Sequence, residues 1–106
     1  MIFKGAVCEI KAMPGARGHE QQGRRYALII QSGRFSTSTI TVAMTSTSAG
    51  EAIYRPVIEL NGSKTRILTD QIYSVSPDRL GSFEGSLGSA ELADLDRALL
   101  LRFGLI

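Results

Sequence analysis

Apolar residues in this sequence come in short bursts set off by glycine, serine and asparagine, and a helical period emerges only near the C-terminus. Residues 2–10 mix apolar and polar positions with β-branched members and predict a strand ending near Lys11. Residues 12–24 carry Pro14 and several glycines without a sustained period, and predict a long loop of the kind that is uncommon in a compact domain unless it works. Residues 26–31, apolar on both faces, predict a covered strand. Residues 39–45 alternate, with Ile40, Val42 and Met44 on one face and Thr39, Thr41, Ala43 and Thr45 on the other. After a polar turn at residues 46–50, residues 57–60 form a short strand closed by Asn61-Gly62, a hairpin signal. Arg66 to Thr69 begins a further strand that leads into Asp70-Gln71-Ile72. Ser76-Pro77-Asp78 reads as a capped single turn with proline in its first position, and residues 80–87, punctuated by glycine, as a bent strand.

The tail changes period. Ser89 is placed to cap a helix whose positive end is favoured by Glu91. Leu92, Leu95, Ala98, Leu99 and Phe103 form the expected buried stripe, and Gly104 ends it. The pattern therefore predicts a mainly β protein of five to seven short strands with one C-terminal helix. Nothing supplies the crossover helices of a parallel sheet, so a small curled sheet or barrel is the expected architecture.

Composition changes this picture little. At 106 residues, 43% hydrophobic and 21% charged, the chain fits one folded domain and is small enough that a dimer would be unsurprising. No apolar run approaches the roughly 20 residues of a membrane span, and the N-terminus lacks a signal-peptide layout, so the expected location is the cytoplasm. One histidine and one cysteine, Cys8, exclude an internal disulfide and argue against a zinc site. There is no P-loop and no dinucleotide fingerprint, so no cofactor is expected. Net charge is +2, but residues 1–55 hold seven Lys/Arg against three acids. That bias is compatible with a polyanionic partner.

Polar chemistry collects at strand edges: His19, Glu20 and Arg25; Thr45-Ser46-Thr47; Asp70-Gln71. The first group lies on Gly18-His19-Glu20-Gln21-Gln22-Gly23-Arg24-Arg25, which reads equally as a reaction centre, an anion-binding loop or a solvated loop. If the three edges converge, they suit RNA cleavage through the neighbouring 2′-hydroxyl. That reaction needs a base for the hydroxyl, positive charge for the phosphorane and a proton for the departing 5′-oxygen. A guanidinium is a natural clamp for phosphate oxygens. Adjacent Arg24 and Arg25 point to opposite faces once the strand begins, so one of them at most lines a site.

Three collinear blocks resemble the MazF/PemK/Kid toxins of bacterial toxin–antitoxin pairs. Gly18 to Tyr26 follows that family's G-x-E-Q-x-G-x-R-P loop, Val42-Ala43-Met44-Thr45-Ser46 its second strand end, and Asp70-Gln71-Ile72-Tyr73-Ser74-Val75 its third block. The tail resembles the family's closing helix. The resemblance implies one domain over residues 1–106 with the CcdB/MazF-like (PemK-like) fold, an SH3-like β-barrel, assembled as a homodimer. It implies a metal-independent endoribonuclease that cuts single-stranded RNA at short sequences, leaving a 2′,3′-cyclic phosphate and a 5′-hydroxyl. It also implies a cognate antitoxin that lays an acidic, disordered tail across a basic groove.

By the same resemblance Arg25 is the charge stabiliser, Thr45 the active-site threonine, Asp70 the base position of the Kid branch, and His19 and Glu20 that branch's loop residues. Gln21, Gln22, Arg24, Ser46 and Gln71 are expected to touch substrate, with Tyr26 and Tyr73 beside the bases. The sequence departs from the pattern at Tyr26, where the family has proline, at Ala6, and at Leu68 and Tyr73, where the family has arginines. Losing two cations moves weight onto Arg25 and Thr45. Two rivals stand beside this reading: a CcdB-like inhibitor of a protein such as gyrase, disfavoured by the absence of tryptophan at Leu105-Ile106, and an RNA-binding barrel without catalysis.

Overall fold

A computed structural model describes residues 2–11 and 25–106. Six strands are present among them: β1 (Ala6–Ile10), β2 (Arg25–Ile29), β3 (Ile40–Ser46), β4 (Val57–Leu60), β5 (Ser63–Val75) and β6 (Leu80–Ser86), followed by helix α1 (Ser89–Arg102). They form one antiparallel sheet in the order β4-β5-β3-β2-β1-β6. The expected mainly β architecture with a closing helix is what the chain adopts. The loop predicted over residues 12–24 lies outside the described residues.

Both faces of the sheet are covered, which explains why Ala27, Leu28 and Ile29 of β2 are all apolar and buried. One face gathers Ala6, Cys8, Ile10, Ala27, Ile29, Ile40, Val42, Met44, Leu68 and Val75, with Phe3 and Leu80 against them. The other packs Val7, Leu28, Ala43, Ile58, Leu60 and Ile67 against Leu95 of α1. The period-2 alternation of β3 thus divides two apolar cores rather than an inside from an outside. Burial raises the pKa of the Cys8 thiol, the main influence on it, and keeps it a packing group.

A hairpin turn and the entry to β1 require glycine or asparagine. Asn61 and Gly62 carry φ of 52° and 79°, the two left-handed residues of a type I′ hairpin that sets Leu60 opposite Ser63. Gly5, at φ 94°, enters β1 where Cδ2 of Leu92 would lie 2.9 Å from any Cβ, so α1 seats directly on its backbone. A turn closed by the Ala6 N–H on the Phe3 carbonyl at 3.1 Å precedes β1, which starts at Ala6, later than the pattern of residues 2–10 suggested.

Helix α1 departs from its sequence reading at both ends. Its N-cap is Gly88 rather than Ser89, and Oε1 of Glu91 accepts the Gly88 N–H at 3.0 Å, closing the first turn from the side-chain side. Leu95 and Ala98 are fully buried, and Leu92 and Leu99 partly so. Phe103, expected to finish the stripe, is 59% exposed, because it sits at the C-cap where the last turn has closed.

The long strand β5 shapes the site. Its register with β3 pairs Met44 with Leu68 but Ala43 with Ile72, so Thr69, Asp70 and Gln71 are extra residues in the ladder. Such an insertion re-aims side chains at the point where it occurs. It also returns Ile72 to the face it shares with Ala43.

Candidate active site

The start of β2, the end of β3 and the β4–β5 hairpin meet at one end of the sheet around a hollow of about 720 Å³. Arg25 and Tyr26 line it from β2, Thr45 and Ser46 from β3, and Gln71 from the β5 insertion. Arg55, from the segment before β4, joins them. No carboxylate is among the described lining residues, so the polar part of the wall is made of guanidinium, hydroxyl and amide groups, with Ala49, Leu60 and Leu68 as its apolar part. That chemistry suits an anion.

Each side chain is held for a local reason. Thr45, 8% exposed, donates its hydroxyl hydrogen to the Tyr26 carbonyl at 2.9 Å, locking the end of β3 to the start of β2. With its proton committed, Oγ1 faces a ligand as an acceptor only. Ser46 Oγ accepts the N–H groups of Ser48 and Ala49 at 3.1 and 3.0 Å, which turns the chain away from β3 along the rim.

Arg55 was not legible as a site residue, and it is a firmly anchored cation of the hollow. Its Nε and Nη2 donate to Oδ1 and Oδ2 of Asp70 at 3.1 and 2.7 Å, and Nη1 donates to the Gly50 carbonyl at 3.2 Å. The two side chains are only 21% and 19% exposed. The pair perturbs both groups: hydrogen bonding to Arg55 holds the Asp70 carboxyl below the usual carboxylate range, and the same bond raises Arg55. The Thr69 hydroxyl donates to the Tyr54 carbonyl, fastening the same loop to the same insertion. The Tyr54 ring is within cation–π reach of both Arg55 and Arg102 of α1, whose guanidinium carbons stand 5.8 and 5.6 Å from its centroid. The one sequence signal was Asp70 itself, an acid at a strand position that needed a cationic partner.

The structure brings together Arg25, Tyr26, Thr45, Ser46 and Gln71. Asp70 stands behind the lining, turned to Arg55. Tyr73, past the insertion and paired with Val42, is exposed and away from the hollow. His19, Glu20, Gln21, Gln22 and Arg24 lie outside the described residues. Among the described residues no group of three metal-ligating side chains occurs, and no helix is long and apolar enough to cross a membrane.

Comparison with known proteins places this arrangement. A candidate toxin of Mycobacterium tuberculosis is 48% identical over 75 residues, 71% of each chain. A mycobacterial endoribonuclease solved in complex with its cognate antitoxin superposes with a TM-score of 0.80 at 16% identity, over 100% of this chain and 98% of that one. The M. tuberculosis toxin MazF-mt6 gives 0.76 at 15% identity, over 93% and 96%. MazF of Deinococcus radiodurans gives 0.76 at 21% identity, over 97% and 96%. At these identities the solved structures establish a shared fold, a β half-barrel with a C-terminal helix. The family model described as "PemK-like, MazF-like toxin of type II toxin-antitoxin system" matches residues 4–103, and the chain belongs to that family.

Proposed function

We propose that this chain is an endoribonuclease that cuts single-stranded RNA at short sequences without a metal ion, by attack of a 2′-hydroxyl on its own 3′-phosphate. The observation that carries the reading is that Arg25 and Thr45, from different strands, line one hollow with Gln71 and a second arginine. In this reaction the 2′-oxygen loses its proton and bonds to phosphorus, and the bond to the 5′-oxygen breaks as that oxygen gains a proton. The products are a 2′,3′-cyclic phosphate and a 5′-hydroxyl.

Arg25 stabilises the charge that builds on the phosphorane. Thr45 Oγ1 accepts from the 2′-hydroxyl and orients it, and the Gln71 amide positions the strand. Tyr26 stacks on a base and Ser46 lines the strand's path. His19 and Glu20, on the segment leading into Arg25, carry the protons, and Gln21, Gln22 and Arg24 extend the contact to neighbouring nucleotides. The whole chain acts as one domain in a homodimer in the cytoplasm, with a cognate antitoxin whose acidic tail competes for the same basic surface. Support for the antitoxin comes from relatives solved in such complexes.

The test is to incubate the purified protein with a long transcript in chelator and to map the new ends. Cleavage with 5′-hydroxyl and cyclic phosphate ends is expected, and one 2′-deoxy sugar at a mapped site should block that cut. Continued cutting at the deoxy position would refute 2′-hydroxyl attack.

A further inference from the structure

Arg55 is fixed far more firmly than a surface cation needs to be. Its own N–H donates to the Ala52 carbonyl at 3.0 Å, and the carbonyl of the next residue, Pro56, accepts from Ile67 at 2.9 Å. The preceding carbonyl accepts from Thr69. The backbone around Arg55 is therefore stitched to β5 before its side chain makes any contact. Asp70 then grips one edge of the guanidinium with both oxygens, and Gly50 takes an Nη1 hydrogen. Of the five N–H donors in an arginine fork, these bonds use three. Two remain unassigned among the described residues, on a group that lines the hollow together with Arg25.

The Arg55–Asp70 ion pair faces a polar cavity with donors to spare. A donor group immobilised beside a developing anion needs no reorganisation when the charge appears. Asp70, in contrast, has each carboxylate oxygen accepting from Arg55 and stands outside the lining.

We propose that Arg55 is a second phosphate-binding residue of this site, contacting the backbone of bound RNA, and that Asp70 is a positioning residue that orients Arg55 and does not take the substrate proton. The inference rests on the ribonuclease reading and gives the hollow a second cation beside Arg25.

The experiment compares wild type, Arg55→Ala, Arg55→Lys, Asp70→Asn and the Arg55→Ala/Asp70→Asn double variant, with circular dichroism and melting to establish folding. Binding is read by anisotropy on a fluorescent random-sequence oligonucleotide with 2′-fluoro sugars throughout, and cleavage on a long transcript. Arg55→Ala should weaken binding about tenfold or more, and lower the slope of log affinity against log salt by about 0.7, one phosphate contact on a single strand. Arg55→Lys, which keeps charge but loses the fork, should fall between. Asp70→Asn should lower kcat/KM no more than Arg55→Ala does. The double variant should be no worse than Arg55→Ala, since Asp70 acts through Arg55. The ascending limb of the wild-type pH–rate profile should survive in Asp70→Asn.

Unchanged binding and salt slope in a folded Arg55→Ala or Arg55→Lys would overturn the role of Arg55. A folded Asp70→Asn that loses orders of magnitude beyond Arg55→Ala, or loses the ascending limb, would make Asp70 the base and overturn the positioning role. Wild type that binds RNA but leaves it uncut sinks the ribonuclease reading while the binding arm still decides Arg55. Wild type that does neither removes both.

Discussion

The hydroxyl of Thr45 offers a perturbation whose structural and catalytic effects separate. Thr45→Val replaces Oγ1 by a methyl group of similar size, so the packing at this 8% exposed position is nearly kept. What is lost is the 2.9 Å bond to the Tyr26 carbonyl and an acceptor facing the hollow. A neutral hydrogen bond of this kind contributes about 0.5–1.5 kcal/mol net. For a chain of this size a loss of about 1 kcal/mol lowers the melting temperature by roughly 5 °C. Total stability of about 5–15 kcal/mol leaves the variant folded at 25 °C.

Catalysis should suffer more. Oγ1 orients the attacking 2′-hydroxyl before its proton leaves, and a misplacement of about 1 Å costs up to about a hundredfold, so kcat should fall roughly tenfold to a hundredfold. Thr45→Ser is the control. It keeps the hydroxyl and loses one buried methyl, about 0.8 kcal/mol. Its melting temperature should therefore fall about as far as that of the valine variant, with cleavage kept within a few-fold. Melts by circular dichroism and single-turnover cleavage of one transcript measure both quantities. If valine and serine variants cut at the same rate, the hydroxyl takes no part in the reaction. If Thr45→Val melts with wild type, the β3-to-β2 bond contributes nothing.

Arg25→Ala should lower cleavage by about two to three orders of magnitude, by analogy with removing one oxyanion donor, with the melt intact; unchanged cutting would take Arg25 out of the mechanism. Leu95→Ala empties a fully buried position between α1 and the sheet and should cost about 2–5 kcal/mol in urea unfolding; a cost under 1 kcal/mol would mean the helix does not pack there. Because Asp70 has its folded pKa lowered, its contribution to stability is present above its unfolded value of about 3.9 and is lost as pH falls through the folded value. The stability gap between wild type and Asp70→Asn should thus be full at pH 6 and shrink below pH 4; a gap constant to pH 3 would show that the Asp70–Arg55 pair is not formed.

Local signals were legible where the physics is local. The alternation of Ile40, Val42 and Met44 fixed which face they share, and Asn61-Gly62 fixed a two-residue hairpin because both positions need positive φ. The period of Leu92, Leu95 and Leu99 fixed the helix, but not how far along it the sheet extends, so Phe103 was placed in a core it does not reach. Arg25, Thr45 and Gln71 were readable because each stands at a strand end or loop edge inside a recognisable block.

The sequence by itself determined the strand content, the closing helix, the hairpin turn and membership of the toxin family, since these follow from residue-by-residue periodicity, turn chemistry and ordered motifs. Only the tertiary structure decided the partner of Asp70. That choice depends on three residues inserted into β5, which shift its register against β3, and on a loop lying 15 positions away along the chain that brings Arg55 to the insertion. A guanidinium and a carboxylate find each other through that long-range pairing, and no spacing in the sequence records it.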